Sequence, residues 1–174
     1  LLDFFPEKES YIKNKILKIY NFIISVQHEN GSWLYSPYDI NTFIDCFHSA
    51  FVIKNIIKTN NIVKLNQSLK IVKNGYSFII DNFLDKKEFL FKRFSKSNKI
   101  SLVKFDLYDN AEMLTLSINL DDNNTKKKLK LSIIKNFTKD EDISSTIDLF
   151  SIKRNNNHLR YSIIHYLYAL SLEG

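Results

Sequence analysis

The sequence predicts an all-α chain, an array of three helical hairpins, and three observations carry that expectation. Only 3 glycines and 2 prolines occur in 174 residues, far fewer turn residues than a many-stranded sandwich requires. Apolar residues recur at helical spacing over most of the length. Long polar loops alternate with short connections, so the helices group in pairs. A chain this long can bury one substantial core, and residues 1–174 read as a single domain.

The elements follow in order. Pro6 is suited to a helix start, and Ile12, Ile16, Ile19, Tyr20, Ile23 and Ile24 mark a helix over 8–27. Gly31 and Ser32 end it, and a loop with Trp33 and Tyr35 runs through Pro37. Asn41 or Thr42 can cap a second helix, apolar on more than one side from Phe43 to Ile57, which places it inside. Leu65, Leu69, Val72, Tyr76 and Ile79 or Ile80 define a third helix over 64–82. The long connection KKEFLFKRFSKSNKISLVKF has alternating apolar residues that suit a short hairpin. Residues 106–120 are helical, with Leu107, Ala111, Leu114 and Ile118 on the buried stripe. A polar turn at 121–124 leads to a helix over 126–137, then to a loop with a strand candidate at 147–152. Leu159, Ile163, Ile164, Leu167, Ala169 and Leu170 mark a last, largely buried helix over 158–172. Loops above about 12–15 residues in compact domains usually bind or gate something. Here they all fall within the pairs, so one end of the array is elaborated.

Composition excludes several classes. The net charge of +6 is modest and its lysines are dispersed. The run Lys126, Lys127, Lys128 and Lys130 reads as a solvated helix face, with no nucleic-acid module beside it. Cys46 is the single cysteine, which rules out an intrachain disulfide, and it reads as a small buried side chain. No stretch reaches the ~20 apolar residues of a membrane span. No signal peptide is evident, and cytoplasm is the expected location. Four histidines and one cysteine offer no ligand pair at zinc-site spacing. Neither a Gly-rich phosphate loop nor a G-x-S-x-G nucleophile motif occurs. No cofactor and no metal are expected.

Gln27, Gly31 and Trp33 fit a Q-x-x-x-G-x-W pattern, in which Gln ties a helix end, Gly permits a tight turn and Trp packs the loop. The following Ile44, Asp45, Phe47, His48, Ser49, Phe51 and Ile53 fit I-D-x-F-H-[ST]-x-F-x-[LI]. Together these resemble the α/α toroids of the terpenoid-cyclase and protein-prenyltransferase type. The second motif is similar to bacterial toroid proteins encoded among polysaccharide and surface-glycan biosynthesis genes. FDLYDNAEML resembles that group's second inner helix and HLRYSIIHYLYALSL its closing Arg-aromatic helix, with Tyr161 where the group commonly has Trp. The resemblance implies an α/α-toroid-like partial ring, with short strands allowed in the long loops. It also implies that the chain is the C-terminal half of a longer protein, whose uncovered flanks would meet a missing upstream half or self-associate.

Asp45 and His48 lie three apart, on one helix face, as a general acid–base pair needs. Asp106 and Arg160 open the two later inner helices and should face the same mouth. The expected catalytic residues are Asp45, His48 and Asp106, and the expected substrate-binding residues are Trp33, Tyr35, Arg160 and Tyr161. An Arg fork beside helix N-termini suits a carboxylated or phosphorylated sugar, so a glycan or sugar nucleotide is the expected ligand. Other readings of the same residues stay open. Asp45 and His48 can simply cap the loop, Asp106 and Arg160 can be a helix-locking ion pair, and Trp33 can be packing. Glu112 reads as peripheral. The leading expectation is a carbohydrate-active or glycan-binding domain, whether or not it catalyses. A non-catalytic scaffold is the alternative, and isoprenoid chemistry is weaker because the acidic D-x-D-D motif is absent.

Overall fold

A computed structural model describes residues 6–97, 100–139, 142–155 and 161–172. After a 3-10 turn at Pro6–Lys8, the helices are α1 (Glu9–Ser25), α2 (Cys46–Asn60), α3 (Ser68–Phe83), α4 (Leu107–Asn119), α5 (Asn123–Phe137) and α6 (Tyr161–Ser171). The strands are β1 (Ile44–Asp45), β2 (Leu84–Asp85), β3 (Leu90–Phe91), β4 (Phe94–Lys96), β5 (Val103–Asp106), β6 (Thr138–Lys139), β7 (Asp142–Ile143), β8 (Thr146–Asp148) and β9 (Lys153–Arg154).

The expected all-α class is therefore wrong. The described residues are 57% helical and the fold is mixed α/β, because its long connections fold into short antiparallel strands. β1 pairs with β4, β2 with β3 and β6 with β7, while β5, β8 and β9 form a three-stranded sheet. Backbone N–H and C=O groups of connections lying against a core need partners, and these ladders supply them. The β5–β8 register sets Phe105 opposite Ile147 and Asp106 opposite Thr146. Bridges run on through Lys92 to Phe105 and from Cys46 N–H to the Arg93 carbonyl at 3.0 Å. The connection after α3 thus joins the starts of α2 and α4.

Helix α4 is the centre of the molecule. It packs against α2 on one side and α6 on the other, with α5 also against it and α3 on α2. Leu107 and every residue from Asp109 to Ser117 are buried, whereas only a stripe was expected. The expected inner helix α2 keeps an exposed edge at Phe51. Helix α6, expected to be largely buried, exposes Tyr161, Ile164, Leu167 and Tyr168. A wholly buried helix with polar residues must satisfy each of them. Asn110 does so by imitating a strand: its amide oxygen accepts from Phe91 N–H at 2.8 Å and its amide nitrogen donates to the Phe91 and Asp106 carbonyls at 3.1 and 2.8 Å. That fastens the β2–β3 hairpin to α4.

The Gln27–Gly31–Trp33 loop docks α1 on α2 and α3. Gln27 Nε2 donates to the carbonyls of Gly31 and Ile71 at 3.0 and 3.1 Å. Gly31 has φ +90°, and a Cβ there would lie 2.3 Å from the Asn74 carbonyl oxygen, so the position admits only glycine. Trp33 is buried, and its Nε1 donates to the Ile23 carbonyl at 3.0 Å. Its ring covers Gly75, where a Cβ would fall 2.6 Å from it and 3.0 Å from Ile53 Cδ1.

Two substitutions test this joint by urea unfolding. Trp33→Ala should cost about 3–5 kcal/mol, the range for emptying an aromatic core site. Gly75→Ala should cost about 1–3 kcal/mol from overpacking, which outweighs the ~1 kcal/mol that alanine gains over glycine in a helix. A stabilised Gly75→Ala protein would mean that the indole does not rest on α3.

Candidate functional site

Two strands deliver the chain into two helices by the same device. β1 ends at Asp45 and β5 at Asp106, and each aspartate is the extended N-cap of the helix that follows. Asp45 Oδ1 accepts from His48 N–H at 2.7 Å and Asp106 Oδ1 from Tyr108 N–H at 2.9 Å. Both therefore satisfy backbone donors that the helix leaves unpaired. The carboxylates also have second roles. Asp45 holds His48 Nδ1 at 2.7 Å from Oδ2 and 2.9 Å from Oδ1. With Asp45 buried and the imidazole half exposed, the far ring nitrogen is turned to solvent. Asp106 meets Arg93 Nη1 at 3.6 Å and lies 3.5 Å from Ser162 Oγ.

The expected residues divide into groups. Asp45, His48 and Tyr35 come together, the Tyr35 ring standing edge-on to His48 at 4.8 Å. Asp106 and Tyr161 line one open cleft of about 690 Å³ with Arg93, Tyr108, Asp148, Arg154 and Ser162. The groups adjoin, because Phe47 stacks on Tyr108 at 4.3 Å and touches His48 at 5.0 Å. Trp33 is not with them. Its indole is locked over Gly75 with its N–H satisfied, so the expected substrate-binding role is corrected to packing. Arg160 lies outside the described residues. Among those described, Arg93 supplies a cation to Asp106, and Arg154 stands 3.8 Å from Asp148.

Several residues at this site were missed in the sequence. Asp109 is buried in the first turn of α4, and burial first, then the nearby Asp106 and Asp45 charges, hold its carboxyl well above the usual carboxylate range against the opposing pull of Arg93. Burial likewise raises Asp106, opposed by the Tyr108 N–H and Arg93. Tyr108 is pushed up to about 12 by burial and by Glu112, Asp109 and Asp106, so its hydroxyl stays a donor. Cys46 is fully buried and its thiol is raised well above the ordinary value by desolvation and neighbouring acids, which leaves it inert. Glu112, expected at the periphery, is wholly buried and contacts Lys54 and His165. The available signal was a charged residue within an apolar helical run, which demands a partner. Among the described residues, no group of three or more His, Cys, Asp or Glu side chains is placed to hold a metal ion.

What the arrangement can do is orient an imidazole as a base and present two guanidinium forks beside tyrosines. The sign of one pH effect follows from Asp109. Its folded value lies above its ordinary 3.8, so the native state binds more protons than the unfolded chain above that pH. Stability must then fall as pH rises from about 4, by up to ~1.4 kcal/mol per pH unit. Asp109→Asn, which keeps an acceptor for the Phe47 N–H, should remove that decline. Urea unfolding of both proteins between pH 4.5 and 7.5 checks it, and a wild-type-minus-variant difference independent of pH would refute the raised Asp109 carboxyl. Comparison of the chain with family models, with curated proteins and with solved structures finds no match.

Proposed function

We propose that the chain binds an anionic sugar or glycan in the cleft at the N-terminal ends of α4 and α6. On this reading it is a carbohydrate-active or glycan-binding domain of polysaccharide or cell-surface glycan biosynthesis, working in the cytoplasm. One observation carries the reading: Arg93 and Arg154 share a cleft of about 690 Å³ with Tyr108 and Tyr161. Their ion pairs, at 3.6 and 3.8 Å, are longer than the ~2.7–2.9 Å of a charge-assisted hydrogen bond. Each five-donor fork can therefore turn toward a ligand carboxylate or phosphate, and the tyrosines offer apolar faces and hydroxyls to a sugar ring. The chain's basic balance, +6 overall, favours such a ligand.

If the site turns its ligand over, the working base is His48. Asp45 fixes the imidazole through Nδ1, which leaves the outward nitrogen to take a proton. A second reading, binding without catalysis, is favoured by one specific observation. Asp45 and Asp106 are both engaged as helix caps, a sufficient structural reason for each.

Calorimetric titration with uronic-acid oligosaccharides and nucleotide sugars tests the proposal. Arg93→Ala and Arg154→Ala should each weaken binding at least tenfold, about 1.4 kcal/mol. His48→Ala should preserve the affinity for nucleotide sugars and abolish any turnover. Wild-type affinity in both arginine variants would sink the reading.

A further inference from the structure

Glu112 sits at the middle of α4 with none of its surface exposed. Its two oxygens go to different helices: Oε2 to Lys54 Nζ on α2, Oε1 to His165 Nδ1 on α6. A buried carboxylate persists only when its charge is compensated, and the largely buried Lys54 ammonium compensates it. Lys54 Nζ and His165 Nδ1 donate and the carboxylate accepts, which leaves Nε2 of His165 free of the acid. About 30% of the His165 side chain remains exposed. Nδ1 is turned to the buried acid, and Nε2 lies across the ring from it.

His165 and His48 are thus held alike, each by Nδ1 on a buried carboxylate. Both belong to one continuous row of rings. From Tyr35 to His48, Phe47, Tyr108 and His165 the successive centroid spacings are 4.8, 5.0, 4.3 and 4.4 Å. Phe47 and Tyr108 are partly exposed, and Tyr108 also belongs to the arginine cleft. Tyr108 therefore joins the row to that cleft. Its electrostatics differ from those of the cleft, since Lys54 pairs with the Glu112 charge and, among the described residues, no arginine is paired or stacked with a ring of the row.

We propose that this row is a second subsite, for a neutral sugar ring linked to the acidic sugar held by Arg93 and Arg154. The proposal rests on the anionic-sugar reading above and specifies its ligand as an acidic disaccharide or longer glycan. The sugar ring lies along the exposed edges of Phe47 and Tyr108, whose faces are stacked on each other, and its hydroxyls hydrogen-bond Nε2 of His165 and of His48. A single uronate or a nucleotide sugar fills only the arginine cleft.

The test compares a uronic acid monosaccharide with the disaccharide that joins it to a neutral hexose, by calorimetry on the whole chain. Wild type should bind the disaccharide at least tenfold more tightly. His165→Asn supplies an amide donor to Glu112 in place of Nδ1 and lacks the outward nitrogen. It should keep the wild-type melting temperature and monosaccharide affinity and lose the disaccharide preference. In unmutated protein, the His165 Nε2 resonance should shift with the disaccharide and stay put with the monosaccharide, a readout that a purely structural role would not move. Equal wild-type affinity for the two sugars, or a silent His165 resonance with the disaccharide bound, overturns the subsite and spares the arginine cleft. Failure of both sugars to bind overturns the anionic-sugar reading, and the subsite falls with it.

Discussion

The structure depends on the compensation of one buried charge. Glu112 has no access to water, and the two groups that meet it come from α2 and α6. The three helices cannot separate without exposing an unpaired carboxylate or leaving it uncompensated. Breaking such a pair typically costs about 3–5 kcal/mol, although an apolar replacement of similar shape can be neutral. The charge therefore contributes little to net stability while strongly fixing which faces meet. A second strap crosses nearby, where the Lys58 ammonium lies 5.8 Å from the Tyr168 ring centroid. The order α2–α4–α6 follows from polar pairing at the centre as much as from apolar burial.

With α4 fixed and buried, its first turn becomes the meeting point of the strands. A helix that starts inside the molecule cannot use water for its leading N–H groups, so it needs a capping side chain. Asp106 provides one while facing the cleft, and Asp45 does the same for α2. Two acids capping neighbouring helices bring negative charge close together, and Asp109 lies within reach of both. The molecule eases the crowding by setting Arg93 beside Asp106, while burial and the neighbouring acids hold the Asp109 carboxyl well above the usual carboxylate range. Acids of one chemical type thus take different states, set by burial and by the nearest cation.

Much of the helical layout was legible. Periodicity over 12–24 corresponds to α1, and the i, i+3 relation of Asp45 and His48 placed the pair on one face, where the structure bonds them. Gln27 and Gly31 were legible as a packing device, whereas Trp33, expected to bind substrate, has its indole buried and its N–H on the Ile23 carbonyl. The strands were not legible in general, because most have two residues and a two-residue strand carries no alternation to read. Their pairing depends on which connections meet across the molecule, as with Ile44 and Lys96. Arg93 escaped notice for the same reason: it lies in a connection, and only the β1–β4 and β5 pairings bring it to Asp106. Glu112 was misjudged because α4 was read as having a single buried stripe, which would have left position 112 outside. Burial of every face from 109 to 117 is a tertiary fact that local periodicity cannot report.

These constraints also separate what the site needs for folding from what it offers a ligand. Asp45, Asp106 and Glu112 each satisfy a backbone N–H or a buried cation, so their positions are explained without a ligand. Arg154, Tyr161 and the outward nitrogens of His48 and His165 have no such explanation. Arg154 is 64% exposed at its side chain and only loosely paired, Tyr161 is exposed at the rim, and the imidazoles are already satisfied through Nδ1. The structural acids hold the inner atoms of groups whose outer atoms face solvent. That division lets a rigid, charge-compensated centre present donors and acceptors whose geometry is set before anything binds, so less ordering is required on association.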